Sequence, residues 1–386
     1  MGQEQRCFCL KTFFGVILMM ADSFGLYLHI PFCKSKCPYC DFFSGKGCET
    51  DFDNYCAILK NKLKFWSEQT KRPVATVYFG GGTPSVLGTE RLCDLLNHVK
   101  ECFAIAQNAE ITLEVNPDSG KNLDFLKLKT ADFNRVSIGL QTAVELELKA
   151  LGRIHSTDDA RQTVRKAHAA GIDNLSLDLM MGIPLQTIYS LKESIDFCAS
   201  LGVKHISSYL LKIEESTRFF TQRDSLRVAN EDEQADLYLF AVDYLGSLGF
   251  RQYEISNFAV DGFESRHNRG YWECREYIGI GPSAHSFFEG ERFFYGKSME
   301  EFAAGIPRKD GKGGNEEEYI MLALRLKSGL RFQNYRTRFQ KEVSPTLITK
   351  TEKYVKMGLM ERDSERVCFT PQGFLLSNSI LCDLVT

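Results

Sequence analysis

The chain has 386 residues, 44% of them hydrophobic, and 47 basic against 50 acidic side chains for a net charge of −3. That is enough for a large core in about two domains, and too even a balance for general attraction to nucleic acid or an anionic membrane. The 13 cysteines are odd in number and mostly scattered singly through apolar segments, which excludes a disulfide framework and fits a reducing cytoplasm.

In chain order, residues 1–20 carry an apolar stretch at 13–20 behind Arg6 and Lys11. It is too short to span a bilayer and has no clear cleavage site, so it reads as a dispensable extension with no stable membrane insertion. From 21 to 250 strand-like and helix-like runs alternate. The strands fall at 25–30, 75–79, 110–115, 135–138, 174–180 and 205–211. The helices fall at 52–68, 90–103, 124–130, 144–151, 158–170, 188–201 and 231–248. Three helices end on Gly171, Gly202 and Gly249, where a helix terminus favours a residue at positive φ. Six βα units in a row predict an α/β fold with a parallel sheet, an open or partial (β/α)6 barrel rather than a closed eight-fold one. Ligands of such folds sit at the carboxyl ends of the strands.

Residues 251–304 are less periodic and rich in Gly, Phe and Tyr, and 305–315 reads as a Gly- and Lys-rich linker. The last segment, 316–386, has helical patterns followed by a β-like pair, a small winged-helix-like domain. Its 11 basic and 9 acidic residues are too even for a phosphate footprint, which favours a protein-interaction or lid domain without nucleic acid as partner.

The chemistry begins with Cys33, Cys37 and Cys40, spaced Cys-x3-Cys-x2-Cys directly after the first strand. Three thiolates on one loop can hold three irons of a 4Fe-4S cluster and leave the fourth open to a small molecule. The competing reading is a zinc site, which wants a second Cys pair that the chain lacks. Gly80-Gly81-Gly82-Thr83-Pro84 follows the second strand, where bare backbone can approach a ligand and offer its amides to an amino-acid head group. Glu114, Gln141, Arg153 and Asp178 stand at or just after later strands. Each alone reads as a structural salt bridge; four on one face of a sheet point to a polar ligand.

The cysteine spacing resembles that of radical S-adenosylmethionine proteins. The stretch Leu-His-Ile-Pro-Phe-Cys-Lys-Ser-Lys-Cys-Pro-Tyr-Cys-Asp-Phe, the glycine turn, Leu-Gly-Arg-Ile-His and the late Thr-Pro-Gln-Gly-Phe-Leu-Leu-Ser-Asn resemble the anaerobic coproporphyrinogen III oxidase family from about residue 25 to the end. The resemblance implies a 4Fe-4S cluster on the three cysteines, with S-adenosylmethionine as its exchangeable ligand. It implies that Tyr27, Gly81, Gly82, Thr83, Glu114, Gln141, Arg153 and Asp178 contact S-adenosylmethionine. The oxidases of the family add a fourth cysteine two residues after the third; here that place is Phe42. A haem-chaperone branch carries His-Asn-x-x-Tyr-Trp, matched by His267-Asn268-Arg269-Gly270-Tyr271-Trp272. The expectation is a haem chaperone that delivers to an acceptor protein, with His267, Tyr271 and Trp272 as haem candidates. His285 and Cys274 compete as iron ligands, and His29 is expected to be structural. The alternative is the oxidase itself, by oxidative decarboxylation; a third reading, modification of RNA, needs a basic face that the composition does not supply.

Overall fold

The computed structural model describes residues 23–385; the N-terminal extension lies outside the described residues. Six parallel strands, β1 (Phe24–Ile30), β2 (Val74–Gly81), β3 (Ile105–Val115), β4 (Arg135–Gln141), β5 (Asn174–Met181) and β6 (His205–Leu210), lie side by side in chain order. The helices between them, among them Glu49–Gln69, Gly88–Cys102, Thr157–Ala169 and Ile188–Ser200, pack on one face. The strands obey a period of two. Leu26, Leu28, Val77, Phe79, Leu113, Val136 and Leu177 are fully buried in one core with those helices. Each such side chain is worth about 1.5–3 kcal/mol of burial. The alternating positions are polar: Tyr27 and His29, Thr76 and Tyr78, Thr112 and Glu114, Ser176 and Asp178. The sheet therefore has an oily outside and a polar inside, and its interior is built to hold hydrogen-bonding groups.

Gly171, Gly202 and Gly249 take φ of 77°, 70° and 89°, as their places after helix ends predicted. Ser156, Thr187 and Asn230 cap the helices that follow them, each accepting a backbone N–H at the third position.

The segment 251–304 holds more regular structure than its composition suggested. Strands β7 (Arg251–Gln252) and β8 (Asn257–Ala259) extend the sheet antiparallel beyond β6. Strand β9 (Tyr277–Ile280) returns to the other edge and pairs parallel with β1. It is followed by β10 (His285–Phe288), β11 (Glu291–Phe294) and β12 (Arg308–Lys312), all antiparallel. The sheet thus has twelve strands in the order β12-β11-β10-β9-β1-β2-β3-β4-β5-β6-β8-β7. The segment expected as a linker contains β12, whose five residues are all exposed. With no side chain buried there is no alternation to read, and Arg308, Lys309 and Lys312 give that edge the charges that discourage pairing with another chain.

The C-terminal domain packs the helices Glu316–Ala323, Phe332–Phe339 and Pro345–Lys356 with β13 (Leu330–Arg331), β14 (Met360–Arg362) and β15 (Arg366–Phe369) in the order β13-β15-β14. It is fastened to the barrel by backbone bonds from Ile255 N to Arg325 O (3.1 Å) and from Lys327 N to Tyr253 O (2.9 Å). Among the described residues no helix is long and apolar enough to cross a membrane.

Candidate functional site

The cysteine loop leaves the carboxyl end of β1 and is pinned at its base. Cys33 N donates to Gly45 O (2.8 Å) and Gly45 N to Pro31 O (2.9 Å), so the loop closes on itself. Its three thiols share a wall of one open cavity of about 460 Å³ at the carboxyl ends of the strands. The other walls are Gly81, Gly82, Thr83, Glu114, Gln141, Arg153 and Asp178. Seven of the eight residues expected at S-adenosylmethionine therefore meet the cysteines in one cavity. Tyr27 does not: its hydroxyl lies 3.1 Å from His29 Nδ1, and its ring is beside Tyr78. His29 spends its other nitrogen on Phe43 O (2.9 Å), the structural role expected of it.

The glycines work by what they lack. A Cβ on Gly81, whose φ is +114°, falls 2.6 Å from His29 Nδ1, and one on Gly82 falls 2.7 Å from Phe32 O. Their amides are not offered to a ligand as the sequence suggested. Gly82 N and Thr83 N donate to Ile30 O (2.8 Å) and Phe32 O (2.7 Å), and Gly81 N donates to Glu114 (3.2 Å). The turn is zipped to the start of the cluster loop, which holds cavity floor and cysteines in register.

Glu114 accepts from the Tyr78 hydroxyl (2.7 Å) and the Gly81 amide, yet burial lifts its carboxyl to about 7. Asp178 is also raised by burial, and accepts from Ser137 Oγ (3.1 Å). Gln141 sits at φ 74°, a left-handed conformation rare outside glycine and common where side chains are aimed at ligands. Arg153 Nη1 donates to Cys37 Sγ (3.4 Å), and Thr83 Oγ1 stands 3.3 Å from Cys33 Sγ. Among the described residues no group of three or more His, Cys, Asp or Glu converges on a position suited to one metal ion. Three thiols on one wall, a guanidinium against one sulfur and polar groups across the cavity fit a cluster with a small-molecule ligand.

The second constellation lies at the opposite, amino-terminal end of the strands. His267 is buried on the short helix Arg266–Trp272. Its Nδ1 is 2.7 Å from Thr76 Oγ1, its Nε2 is 2.8 Å from the Tyr271 hydroxyl, and its ring stacks on Tyr78 at 4.9 Å. The carboxylate of Glu110 accepts the backbone N–H groups of Arg266 and His267 (2.9 Å each). Burial, with the Arg135 guanidinium adding to it, pushes the imidazole down to about 3. Trp272 is half-buried and donates to Glu254, whose own backbone bridges Leu326 of the C-terminal domain. A narrow hollow of about 30 Å³ opens here, lined by Phe24, Tyr271, Tyr277, Arg266 and Arg275 among others. The competitors are placed elsewhere: His285 is exposed against Phe294, and Cys274 is buried near Arg338.

Residues 27–198 match the radical SAM superfamily, and residues 317–376 match the HemN C-terminal domain. The heme chaperone HemW of Lactococcus lactis is 31% identical over 94% of this chain and 97% of its own length. Its counterpart in Mycobacterium tuberculosis is 32% identical over 96% and 97%. The chain belongs to the HemW family of radical SAM proteins. Its fold is shared with the coproporphyrinogen III oxidase HemN of Escherichia coli, a radical SAM enzyme, at a TM-score of 0.81 and 20% identity over 96% of this chain and 93% of that one. A 4Fe-4S cluster with S-adenosylmethionine is the cofactor pair of this superfamily, and of this chain with it.

Sequence reading missed Asn116 in the cavity wall and Tyr78 behind it, whose hydroxyl holds Glu114. Tyr78 looked like one more apolar strand residue, and only the period of two, which turns it inward between Thr76 and Gly80, could have singled it out. Asn116 lay in view in Leu-Glu-Val-Asn-Pro but was passed over for its charged neighbour. Phe42 stands at the cavity mouth, 67% exposed.

Proposed function

We propose that the chain is a haem chaperone on a radical SAM scaffold, which binds haem and passes it to an acceptor protein in the cytoplasm. Near-full-length kinship with proteins named heme chaperones carries this reading. Cys33, Cys37 and Cys40 ligate the cluster. Glu114, Gln141, Arg153 and Asp178, with Gly81 to Thr83, shape the cavity around S-adenosylmethionine. When bound, the cluster supplies an electron and one iron open to the methionine end of that ligand. The residues of the cavity orient it: Glu114 and Asp178 offer acceptors to an ammonium or to ribose hydroxyls, and Tyr78 holds Glu114 in place. Phe42 puts an aromatic ring where the oxidase branch has a further thiol, which supports a role other than porphyrinogen oxidation.

Haem is assigned to the face around His267, Tyr271 and Trp272, where the helix Arg266–Trp272 would move outward to admit it, since the hollow there holds only about 30 Å³ in the empty protein. Its walls combine Phe24, Tyr271 and Tyr277, suited to a flat apolar ring, with the guanidinium groups of Arg266 and Arg275, suited to two carboxylates. His267 can ligate iron only by giving up its bond to Tyr271 or Thr76. Haem titration of wild type and His267→Ala tests this. The expected result is a Soret band saturating at one haem per chain in wild type and lost or shifted in the variant. No binding to wild type sinks the reading. Steady formation of protoporphyrinogen from coproporphyrinogen in an anaerobic assay establishes the oxidase instead.

A further inference from the structure

Two of the three cluster cysteines share a single anchor. The Asn116 backbone is fixed first: its N donates to Ser85 Oγ (3.2 Å), and its carbonyl accepts from Gly120 N (2.7 Å). Its carboxamide then points both ways. Oδ1 accepts from Arg153 Nη2 (2.6 Å), and Nδ2 donates to Thr83 Oγ1 (3.3 Å). Because Thr83 Oγ1 accepts from Asn116, its own proton is free for Cys33 Sγ, 3.3 Å away. Arg153 Nη2 has a second acceptor in Gly139 O (2.7 Å), which turns Nη1 onto Cys37 Sγ at 3.4 Å. The guanidinium is thus spent on protein groups along one edge, and its Nε is buried with no partner.

We propose that Asn116 is a positioning residue for the cluster: it holds Arg153 against the Cys37 sulfur and Thr83 against the Cys33 sulfur, and the two together set the cluster's reduction potential. This rests on the proposed ligation of the cluster by the three cysteines. Hydrogen bonds donated to cluster sulfurs stabilise the reduced, more negative state, so they raise the potential, and a neighbouring cation adds to the effect. An amide is the side chain that serves both arms, since aspartate at this place keeps the acceptor for Arg153 and loses the donor to Thr83.

The test is potentiometry of the reconstituted full-length protein followed by electron paramagnetic resonance, without S-adenosylmethionine, so that ligand affinity does not enter. Asn116→Ala is expected to shift the midpoint to more negative potential, and Arg153→Gln to shift it further in the same direction. Arg153→Lys keeps the charge but cannot span Asn116, Gly139 and Cys37 at once, and is expected to fall between wild type and Arg153→Gln. Wild-type midpoints in both Asn116→Ala and Arg153→Lys overturn the proposal. If Asn116→Ala does not assemble a cluster, Arg153→Lys alone decides in the same way. Failure of wild type to take up iron and sulfide instead overturns the cluster assignment, a separate outcome read from metal content.

Discussion

The two ends of the barrel are made from the same strands and behave oppositely. At the carboxyl ends, the cysteine loop and Gly81, Gly82, Glu114, Gln141 and Asp178 surround a cavity of about 460 Å³, with two buried carboxyls raised by burial. At the amino-terminal ends, His267 closes the floor with both ring nitrogens bonded and its helix start capped by Glu110. The mouth carries groups held ready at a cost in stability, while the floor carries groups whose needs are met. A polar residue inside a barrel is therefore either open to a ligand at once or has to give up a partner first, and what separates the two kinds is whether the protein already supplies the partners.

The largest expected effect is at the mouth and leaves the fold alone. Replacing any one of Cys33, Cys37 or Cys40 by Ala abolishes the reconstituted cluster, read as loss of its iron content and visible absorption. The thiols are only half-buried and pack little, so the apo variants unfold within about 0.5 kcal/mol of wild type. At the floor the balance reverses. His267→Ala leaves the cluster intact and lowers the stability of the apo protein by about 2–4 kcal/mol, through a cavity and the unpaired Thr76 and Tyr271 hydroxyls. Denaturant unfolding checks this. A His267→Ala protein as stable as wild type breaks the comparison and makes the floor a site held open for a ligand.

The sequence announced the mouth more clearly than the floor, for physical reasons. Cysteine spacing, a glycine turn and strand-end polar residues are local, and four of the five connections between the six strands carry a helix of at least 13 residues, long enough to show its period. The floor depends on non-local pairing. Strand β9 inserts beside β1 some 250 residues away in sequence, and the floor helix is reached only after two strands of two and three residues. Strand β12 carries no buried side chain, so composition alone suggested a linker. Within the mouth, Asn116 went unnoticed because its importance is relational: an asparagine is ordinary until Arg153 and Thr83 are seen on its two ends. His267 reads in the sequence as an available imidazole, because its partner Thr76 is 191 residues away and its contact with Tyr271 depends on the helix between them.

The pH response sharpens the contrast, because the two ends carry opposite signs. His267 is held near 3 against its ordinary 6.5, so the unfolded chain takes up its proton first and the floor loses stability as pH falls below 6.5. Glu114 is held near 7 against its ordinary 4.5, so the unfolded chain loses its proton first. Its contribution is full below about 4.5 and is lost as pH rises to 7, a cost of order 1–3 kcal/mol to the empty protein at pH 8. A bound cation or donor at Glu114 removes that cost. Two results follow for the cluster-loaded protein. S-adenosylmethionine binds more tightly as pH rises through about 7, and Glu114→Gln binds it weakly with that dependence gone. In the apo protein Glu114→Gln raises stability at pH 8 and changes it little at pH 5. Calorimetric titration and thermal unfolding at the two pH values read both. A Glu114→Gln protein that keeps the wild-type pH dependence assigns the raised carboxyl to Asp178 and makes Glu114, like His267, a group already satisfied by its neighbours.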